Sequence, residues 1–361
     1  MVRETRAAPI GDGSALEGRV SGAALAVIRR QLGLSQDALA TSLGVGVKTV
    51  GAWEQGRNPL IRLPYSRLRQ LSRALSSIGA ALDSVAAFET ALSVDDILSG
   101  LDEKDPRRHP LALTVPDRTT TEMLMWPFTG VAPRQLGDGS AALHIPAGQR
   151  TEAVGLLRAL AESAGDSEQG AMLRRQAVFL VATHDAAHKC QDQWAFDQIK
   201  KQVSAADLRR WSPEWAVARS AAIRAASAGD PEPLHRFVAE GMNDPDCVLA
   251  NLRYWAYWVG EFSAPWSSDA DMVRPDRDSW SGEHLLRSLL SGVAGAPYRE
   301  LCAHTLWALA RARRTLVTHP RWASLISTTV DEVTAGDGLT VRARQLLEQV
   351  HYLVGSTEWG L

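Results

Sequence analysis

The chain has 361 residues, of which 45% are hydrophobic and 22% are charged, an ordinary globular composition that excludes a wholly disordered or fibrous protein and indicates about two domains. It contains no run of about 18 apolar residues, and its N-terminus lacks the apolar segment of a secretory signal, so no membrane association is expected. The three cysteines, Cys190, Cys247 and Cys302, are too few and too widely spaced for a disulfide framework, which favours a soluble, cytoplasmic protein.

Charge is distributed unevenly along the chain. Residues 1–80 contain 11 Lys and Arg against 5 Asp and Glu and carry a net charge of +6, whereas the remaining 281 residues carry −8. A small basic part joined to a larger acidic part predicts a polyanionic partner for the basic part alone. Arginine outnumbers lysine 34 to 5, a bias that indicates a GC-rich bacterial genome.

The N-terminal part of the chain divides into an arm and a helical domain. Residues 1–20 are polar and rich in Gly and Ala, and they predict a mobile arm. Short amphipathic helices separated by tight turns are predicted over residues 21–75, and a further helix over 84–98. We therefore assign residues 21–100 to the first domain.

A proline-rich segment separates this domain from the rest of the chain. Six of the 17 prolines lie in residues 101–150, which predict a linker or an irregular subdomain because proline breaks helices. Within this segment, residues 111–117 are compatible with an edge strand.

Residues 151–361 predict a second, helical domain. Apolar residues recur there at three- and four-residue steps, and Gly-, Asp- and Pro-containing turns interrupt them. Short turns favour antiparallel helix pairs, as in an α-solenoid, and a tetratricopeptide-like array is one such form, although no clean repeat is present. The predicted fold class of the whole chain is all-α.

The most informative pattern lies in residues 21–78. Its first helix has a buried face with Leu25, Ile28 and Leu32. Ser35 is expected to cap a second helix over residues 36–43, and Gly44 to form the turn that follows it.

The third helix of this pattern is predicted over residues 47–55, with Val50 and Trp53 buried and Gly56 ending it. Three short segments of the pattern occur at fixed offsets: LSQ at 34–36, LGV at 43–45 and WEQGR at 53–57.

Together these segments resemble the Cro/cI-type helix-turn-helix, the DNA-binding domain of the xenobiotic-response-element (XRE) family of bacterial regulators. The resemblance covers residues 21–78. It implies a five-helix domain that binds double-stranded operator DNA. In such a domain the third helix enters the major groove and the second crosses the backbone.

The candidate DNA-binding residues lie in and around the second and third helices: Gln36, Gly46, Val47, Lys48, Thr49, Ala52 and Arg57. Lys48 can donate to O6 and N7 of guanine, and Val47 and the methyl group of Thr49 can contact thymine methyls. The resemblance implies that the amide of Gln36 contacts a phosphate. Thr49 and Arg57 are expected to contact further phosphates.

The resemblance also implies a structural ion pair between Arg29 in the first helix and Glu54 at the end of the third. The sequence departs from the family at Gly46, where a Ser or Thr usually caps the third helix. It departs again at Gly51, which costs the helix about 1 kcal/mol relative to alanine. Lys48 is then the one long polar side chain placed to read bases, so specificity is expected to depend also on DNA shape, the N-terminal arm or two half-sites bound by a dimer.

A second pattern, at residues 183–190, has the spacing of a metal site. His184 and His188 lie four residues apart with Cys190 nearby, and the segment approximates the zinc-protease pattern HExxH with Asp185 in place of the glutamate. A shorter carboxylate reaches a zinc-bound water poorly, and no third ligand follows downstream. We therefore interpret the segment as a polar helix face and predict no metal site and no catalytic residue.

Two further groups of residues are candidate binding sites. Tyr254, Trp255 and Trp258 belong to the densest aromatic cluster, which we interpret mainly as core packing, with a ligand pocket as the alternative. The acidic residues at 95–96 and 269–278 are interpreted as solvated, since the second group lacks the glycine and terminal glutamate of a calcium loop.

The sequence thus predicts a cytoplasmic, nucleoid-associated transcriptional regulator that binds DNA as a homodimer. Residues 151–361 are expected to serve dimerisation, the sensing of a small-molecule or peptide effector, or both. The chain has no Gly-rich phosphate loop, Ser/His/Asp spacing or Cys-x-x-Cys pair, so neither an enzyme nor a cofactor is predicted. Two alternatives are a metal-dependent enzyme or switch on the helical domain, and a protein-interaction scaffold with weak DNA affinity.

Overall fold

The computed structural model describes residues 16–137, 143–190, 193–274 and 280–355. Within these ranges the chain forms α-helices joined by turns and short 3-10 helices, and no β-strand occurs. The all-α fold class is therefore confirmed.

The helices differ in length from four to 21 residues. The first seven are α1 (Arg19–Gln31), α2 (Gln36–Leu43), α3 (Val47–Glu54), α4 (Tyr65–Ser77), α5 (Leu82–Ser99), α6 (Arg118–Thr129) and α7 (Ala147–Ser163). The next five are α8 (Glu168–His188), α9 (Trp194–Ala205), α10 (Pro213–Ser227), α11 (Glu232–Gly241) and α12 (Pro245–Trp258). The last five are α13 (Glu283–Gly295), α14 (Arg299–Ala312), α15 (Arg314–Val317), α16 (Pro320–Ala335) and α17 (Val341–Gly355).

The chain divides into two compact units. The first consists of residues 1–105 and 119–159, and the second of residues 106–118 and 160–361. Residues 101–150, for which we predicted a linker or an irregular subdomain, contain α6 and are shared between the two units.

The core of the first unit is formed where α1 packs on α5 and α3. Leu25 and Ile28 of α1, Leu39 of α2 and Val50 of α3 are buried there, as predicted. Leu32, predicted on the same face of the first helix, follows the end of α1 and is only half-buried. Residues 1–15 of the predicted arm lie outside the described residues.

The C-terminal part of the predicted arm is instead packed. Leu16 is buried, and α1 already begins at Arg19. Gly18 precedes the helix with φ 73° and lies directly against Pro59, where a side chain would overlap the proline ring. Close packing of this kind holds residues 16–20 on the unit.

In the second unit, helices adjacent in sequence pack on each other: α8 with α9, α9 with α10, α10 with α11, α13 with α14, and α16 with α17. Trp215 of α10 illustrates this packing, since its ring lies 5.1 Å from that of Phe237 in α11 and its Nε1 donates to the backbone oxygen of Gly241. None of the described helices combines the length and apolarity that crossing a bilayer needs.

The predicted edge strand at 111–117 does not form. Pro110–Ala112 is a 3-10 helix, and Val115 makes a single isolated antiparallel bridge with Trp266. Pro116 follows Val115 and has no N–H to extend a ladder, so the pairing stops at one residue.

Candidate nucleic-acid interface

Local sequence explains the geometry of α2 and α3. The hydroxyl of Ser35 accepts a hydrogen bond from the backbone N–H of Ala38 at 3.0 Å and begins α2. Gly44 ends α2 with φ 65°, a left-handed conformation that favours glycine, and the chain turns into α3. Gly46 begins α3 without a side-chain hydrogen bond.

Close packing positions α3 on α1. Gly22 of α1 is buried against the C-terminal end of α3, and a Cβ atom at this position would overlap the backbone oxygen of Trp53. Trp53 itself is 7% exposed. The two helices therefore approach each other through a backbone contact that only glycine permits.

A hydrogen-bonded network around Glu54 joins three helices. Arg29 donates from Nε to Glu54 Oε1 at 2.6 Å and from Nη2 to Oε2 at 3.1 Å, which is the pairing that the resemblance implies. Gln36 at the start of α2 donates from Nε2 to Glu54 Oε2 at 2.6 Å. The carboxylate of Glu54 thus holds α1, α2 and α3 in one arrangement.

The N-terminal half of α3 is accessible to a partner. Gly46 and Lys48 are exposed, and the Val47 side chain is 43% exposed. Thr49 and Ala52 are half-buried on the same short helix. Lys48 forms no ion pair with any residue that the structure describes, so its ammonium group is available for an acceptor on a partner.

The two remaining candidate DNA contacts flank α3. Arg57 is exposed just after the helix. Gln36 is half-buried and uses one Nε2 hydrogen for Glu54, which leaves the second hydrogen for an acceptor such as a phosphate oxygen. Gly51 lies beside this amide, since a Cβ atom there would be 3.5 Å from Gln36 Oε1.

Sequence reasoning missed the role of Asp95, which was interpreted as solvated. Asp95 is completely buried in α5 and accepts the backbone N–H groups of Val20 at 3.0 Å and Ser21 at 2.9 Å. These amides belong to the first turn of α1, whose own preceding residue Gly18 offers no side-chain acceptor. Burial raises the pKa of Asp95 to about 6, although the hydrogen bonds from Ser21 and Val20 oppose the shift.

A tertiary helix cap of this kind leaves only a weak signal in the sequence. The indication in the sequence that Asp95 is buried is its position on α5, where it lies on the same side as Ala91 and Leu98, both of which are buried. Asp269 was likewise interpreted as solvated and is buried, where it accepts from Arg175 at 2.7 Å. Both interpretations were wrong because an acidic residue can be buried when a distant donor compensates it.

The residues at the end of α8 lie close together. His184, Asp185 and Cys190 offer ligand atoms within 4.8 Å of one another, and the rings of His184 and His188 are 4.8 Å apart. Lys189 ends α8 with φ 51°. This turn directs Cys190 back toward the helix, so that its N–H donates to the oxygen of Asp185 at 2.9 Å.

The three aromatic residues for which a ligand pocket is the alternative prediction make different contacts. Trp255 is buried, with its ring 5.6 Å from that of Tyr298. Tyr254 faces the guanidinium of Arg219 at 4.6 Å, and Trp258 is half-buried.

Comparison with known proteins supports the assignment of the N-terminal part. Residues 25–76 match a family model described as helix-turn-helix, and this segment runs from within α1 to the end of α4. Searches of curated proteins and of solved structures found no match to the chain. The predicted helix-turn-helix is therefore confirmed, and the chain has the DNA-binding element of a regulator.

Proposed function

We propose that the protein is a sequence-specific transcriptional regulator that places α3 in the major groove of operator DNA. The observation that carries the proposal is the exposed N-terminal half of α3 on a helix-turn-helix whose geometry is held by Glu54. Lys48 in this half forms no ion pair with a described residue. An α-helix presented in this way fits the major groove.

The residues divide into positioning and reading groups. Gln36 and Arg57 flank α3 and would bind phosphates on either side of the groove, which sets the register of the helix. Lys48 would donate to guanine, and Val47 would contact thymine methyls. Because Ala52 and Gly51 have no long side chain, sequence preference would concentrate at the bases near Lys48.

The proposal extends to the whole chain. Two copies would place their α3 helices in successive turns of the major groove, about 34 Å apart. The second unit would provide dimerisation, effector sensing or both, and an effector would act by favouring one dimer geometry. We place the protein in the cytoplasm, associated with the nucleoid.

Genome-wide footprinting with purified full-length protein tests the proposal. Wild type is expected to protect a defined set of sites that share a motif, and Lys48→Ala to lose discrimination at one guanine by about 1–3 kcal/mol. Lys201→Ala removes an exposed lysine from α9 and serves as the matched control. Identical motifs for wild type and Lys48→Ala would contradict the role of α3.

A metal-dependent switch or enzyme on the helical unit is the second candidate function. The proximity of His184, Asp185 and Cys190 supports it, since His, Cys and carboxylate are zinc ligands. Stoichiometric zinc in purified wild type, lost in both His184→Ala and Cys190→Ser, would support this candidate. Protein that remains zinc-free after incubation with zinc and removal of excess metal would exclude it.

A further inference from the structure

The second unit contains a small, partly open cleft between α8, α9 and α10. Arg175 of α8, Gln202 of α9 and Arg224 of α10 line it together with apolar residues that include Phe179 and Ile199. The three helices pack on one another, so the cleft lies inside a single compact unit.

The polar residues of the cleft present hydrogen-bond donors that have no acceptor within the described part of the chain. Arg175 is 4% exposed and donates from Nη2 to Asp269 at 2.7 Å, and its Nη1 has no hydrogen-bond partner among the described residues. Gln202 Nε2 is buried, and no residue that the structure describes accepts a hydrogen bond from it. Arg224 is half-buried and forms no ion pair with any residue in the described ranges.

Positive charge around the cleft exceeds the negative charge that pairs with it. Arg219 is buried on the same helix, five residues before Arg224. It donates to Asn251 Oδ1 at 2.7 Å and faces the ring of Tyr254 at 4.6 Å, and it forms no ion pair with a carboxylate among the described residues. Burial, together with nearby Arg175, lowers the pKa of Arg219 to about 10, and burial also lowers the pKa of Arg224. Among the described residues, Asp269 is the one carboxylate that pairs with any of these arginines.

Unpaired guanidinium groups in a low-dielectric site are costly to the folded state unless an anion compensates them. A guanidinium offers N–H donors and no acceptor, so its complement is a group with acceptor oxygens alone. Ser220 also lines the cleft, but its hydroxyl donates to the backbone oxygen of Ala216 at 3.2 Å.

We propose that the cleft between α8, α9 and α10 binds a small oxyanion, a phosphate or a carboxylate, between Arg175, Gln202 and Arg224. The cleft is narrow, which limits the ligand to a small anion. Anion binding at this cleft is proposed independently of DNA binding. A role of the anion as an effector of DNA binding would be a further property.

Calorimetric titration of the full-length protein tests the site without DNA. Inorganic phosphate and acetate are titrated separately in an amine buffer, with chloride holding the ionic strength constant. We expect saturable binding of at least one anion, and the stronger of the two identifies the ligand as a phosphate or a carboxylate. Absence of saturable binding of both anions up to about 10 mM, where a weak site would still fill, overturns the proposal.

A pair of arginine variants locates the binding. Arg224→Gln is expected to weaken anion binding by at least about 10-fold, because it removes a charged donor from the cleft. Arg236→Gln on α11 removes an exposed arginine that pairs with Glu240 at 3.2 Å and is expected to bind the anion like wild type. Equal affinity in wild type and Arg224→Gln overturns the assignment.

Thermal denaturation separates a ligand-binding arginine from a structural one. Arg224→Met keeps an unbranched, apolar stem but removes the uncompensated charge, so its Tm without anion is expected to equal or exceed that of wild type. The anion is expected to leave the Tm of this variant unchanged. A large fall in Tm without anion would show that Arg224 supports the fold and would overturn the proposed role. Gln202→Leu provides a second cleft variant in which anion binding is expected to weaken.

Discussion

Single carboxylates hold the first unit together at two places. Glu54 accepts from Arg29 and Gln36, and its side chain is 6% exposed while that of Arg29 is 14% exposed. Asp95 accepts two amides of the first turn of α1 from within α5. Each carboxylate lies where its removal leaves buried donors without partners, so each is expected to contribute far more than a surface residue.

Glu54→Gln is expected to lower the free energy of unfolding by about 3 kcal/mol, because Arg29 is left nearly buried without a counter-charge. DNA affinity should fall as well, since α3 loses its connection to α1 and α2. Urea denaturation measures the first effect. Glu240→Gln, which breaks the exposed pair with Arg236, is the matched control and should cost less than about 1 kcal/mol.

The raised pKa of Asp95 predicts how the free energy of unfolding changes with pH. Its pKa is about 6 in the folded protein against an ordinary 3.8, so between these values the folded carboxyl group keeps a proton that the unfolded one has lost. The contribution of Asp95 to stability is therefore greatest below about pH 4 and decreases by about 2–3 kcal/mol as the pH rises to 7.

The measurement for Asp95 compares unfolding free energies of wild type and Asp95→Asn from pH 4 to pH 7. Asparagine does not titrate, so the difference between the two proteins isolates this carboxyl group from all others. Wild type should lose stability relative to the variant as the pH rises. A difference that is constant, or that changes in the opposite direction, would rule out a raised pKa.

At the scale of elements, two glycines of the helix-turn-helix have opposite roles. Gly22 allows α1 to touch the backbone of α3 at Trp53, whereas a Cβ atom on Gly51 would make ordinary van der Waals contact with Gln36. Sequence reasoning identified Gly51 as an unfavourable residue for a helix, and the structure supplies no close contact that requires it. The close contact at Gly22 could not be predicted from the sequence, because a glycine in a predicted helix does not by itself show which residue lies opposite it.

Gly22→Ala and Gly51→Ala form a matched pair of helix substitutions. Gly22→Ala is expected to destabilise the protein by about 2 kcal/mol or more, because the new methyl group overlaps Trp53. Gly51→Ala is expected to stabilise it by about 0.5–1 kcal/mol through helix propensity, since its nearest neighbour, Gln36 Oε1, stays at 3.5 Å. Thermal or urea unfolding of both variants gives the two signs, and a gain in stability for Gly22→Ala would refute the proposed close contact.

At the scale of the whole molecule, charge separates the basic first 80 residues, with a net +6, from the acidic remainder. The first unit also contains residues that are distant from the helix-turn-helix in sequence. Gln31 Nε2 donates to the backbone oxygen of Leu136 at 2.6 Å, across 105 residues of sequence. The basic helices are thus completed by residues 119–159, well beyond the helix-turn-helix itself.

DNA affinity is expected to fall steeply with salt, because phosphate contacts release counterions. Arg57→Ala should weaken binding to all sequences about equally and reduce the slope of log K against log salt by about 1. Lys48→Ala should instead change the preferred sequence. Fluorescence anisotropy with operator and random duplexes at several salt concentrations distinguishes the two.

In that assay, a scaffold with weak DNA affinity would show no preference for the operator duplex near physiological salt. Such an outcome would contradict the proposed regulator and leave the helix-turn-helix as a surface for protein contacts.

The sequence by itself determined the helices and the helix-turn-helix. The cap at Ser35, the left-handed Gly44 and the apolar face of α1 are local patterns within a few residues, and local patterns are what periodicity and capping rules detect. The unpaired donors around Arg224, the burial of Asp95 and the return of residues 119–159 to the first unit were decided by the tertiary structure alone. These features depend on residues far apart in the chain, whose proximity leaves no periodic signal because it arises only when the helices pack.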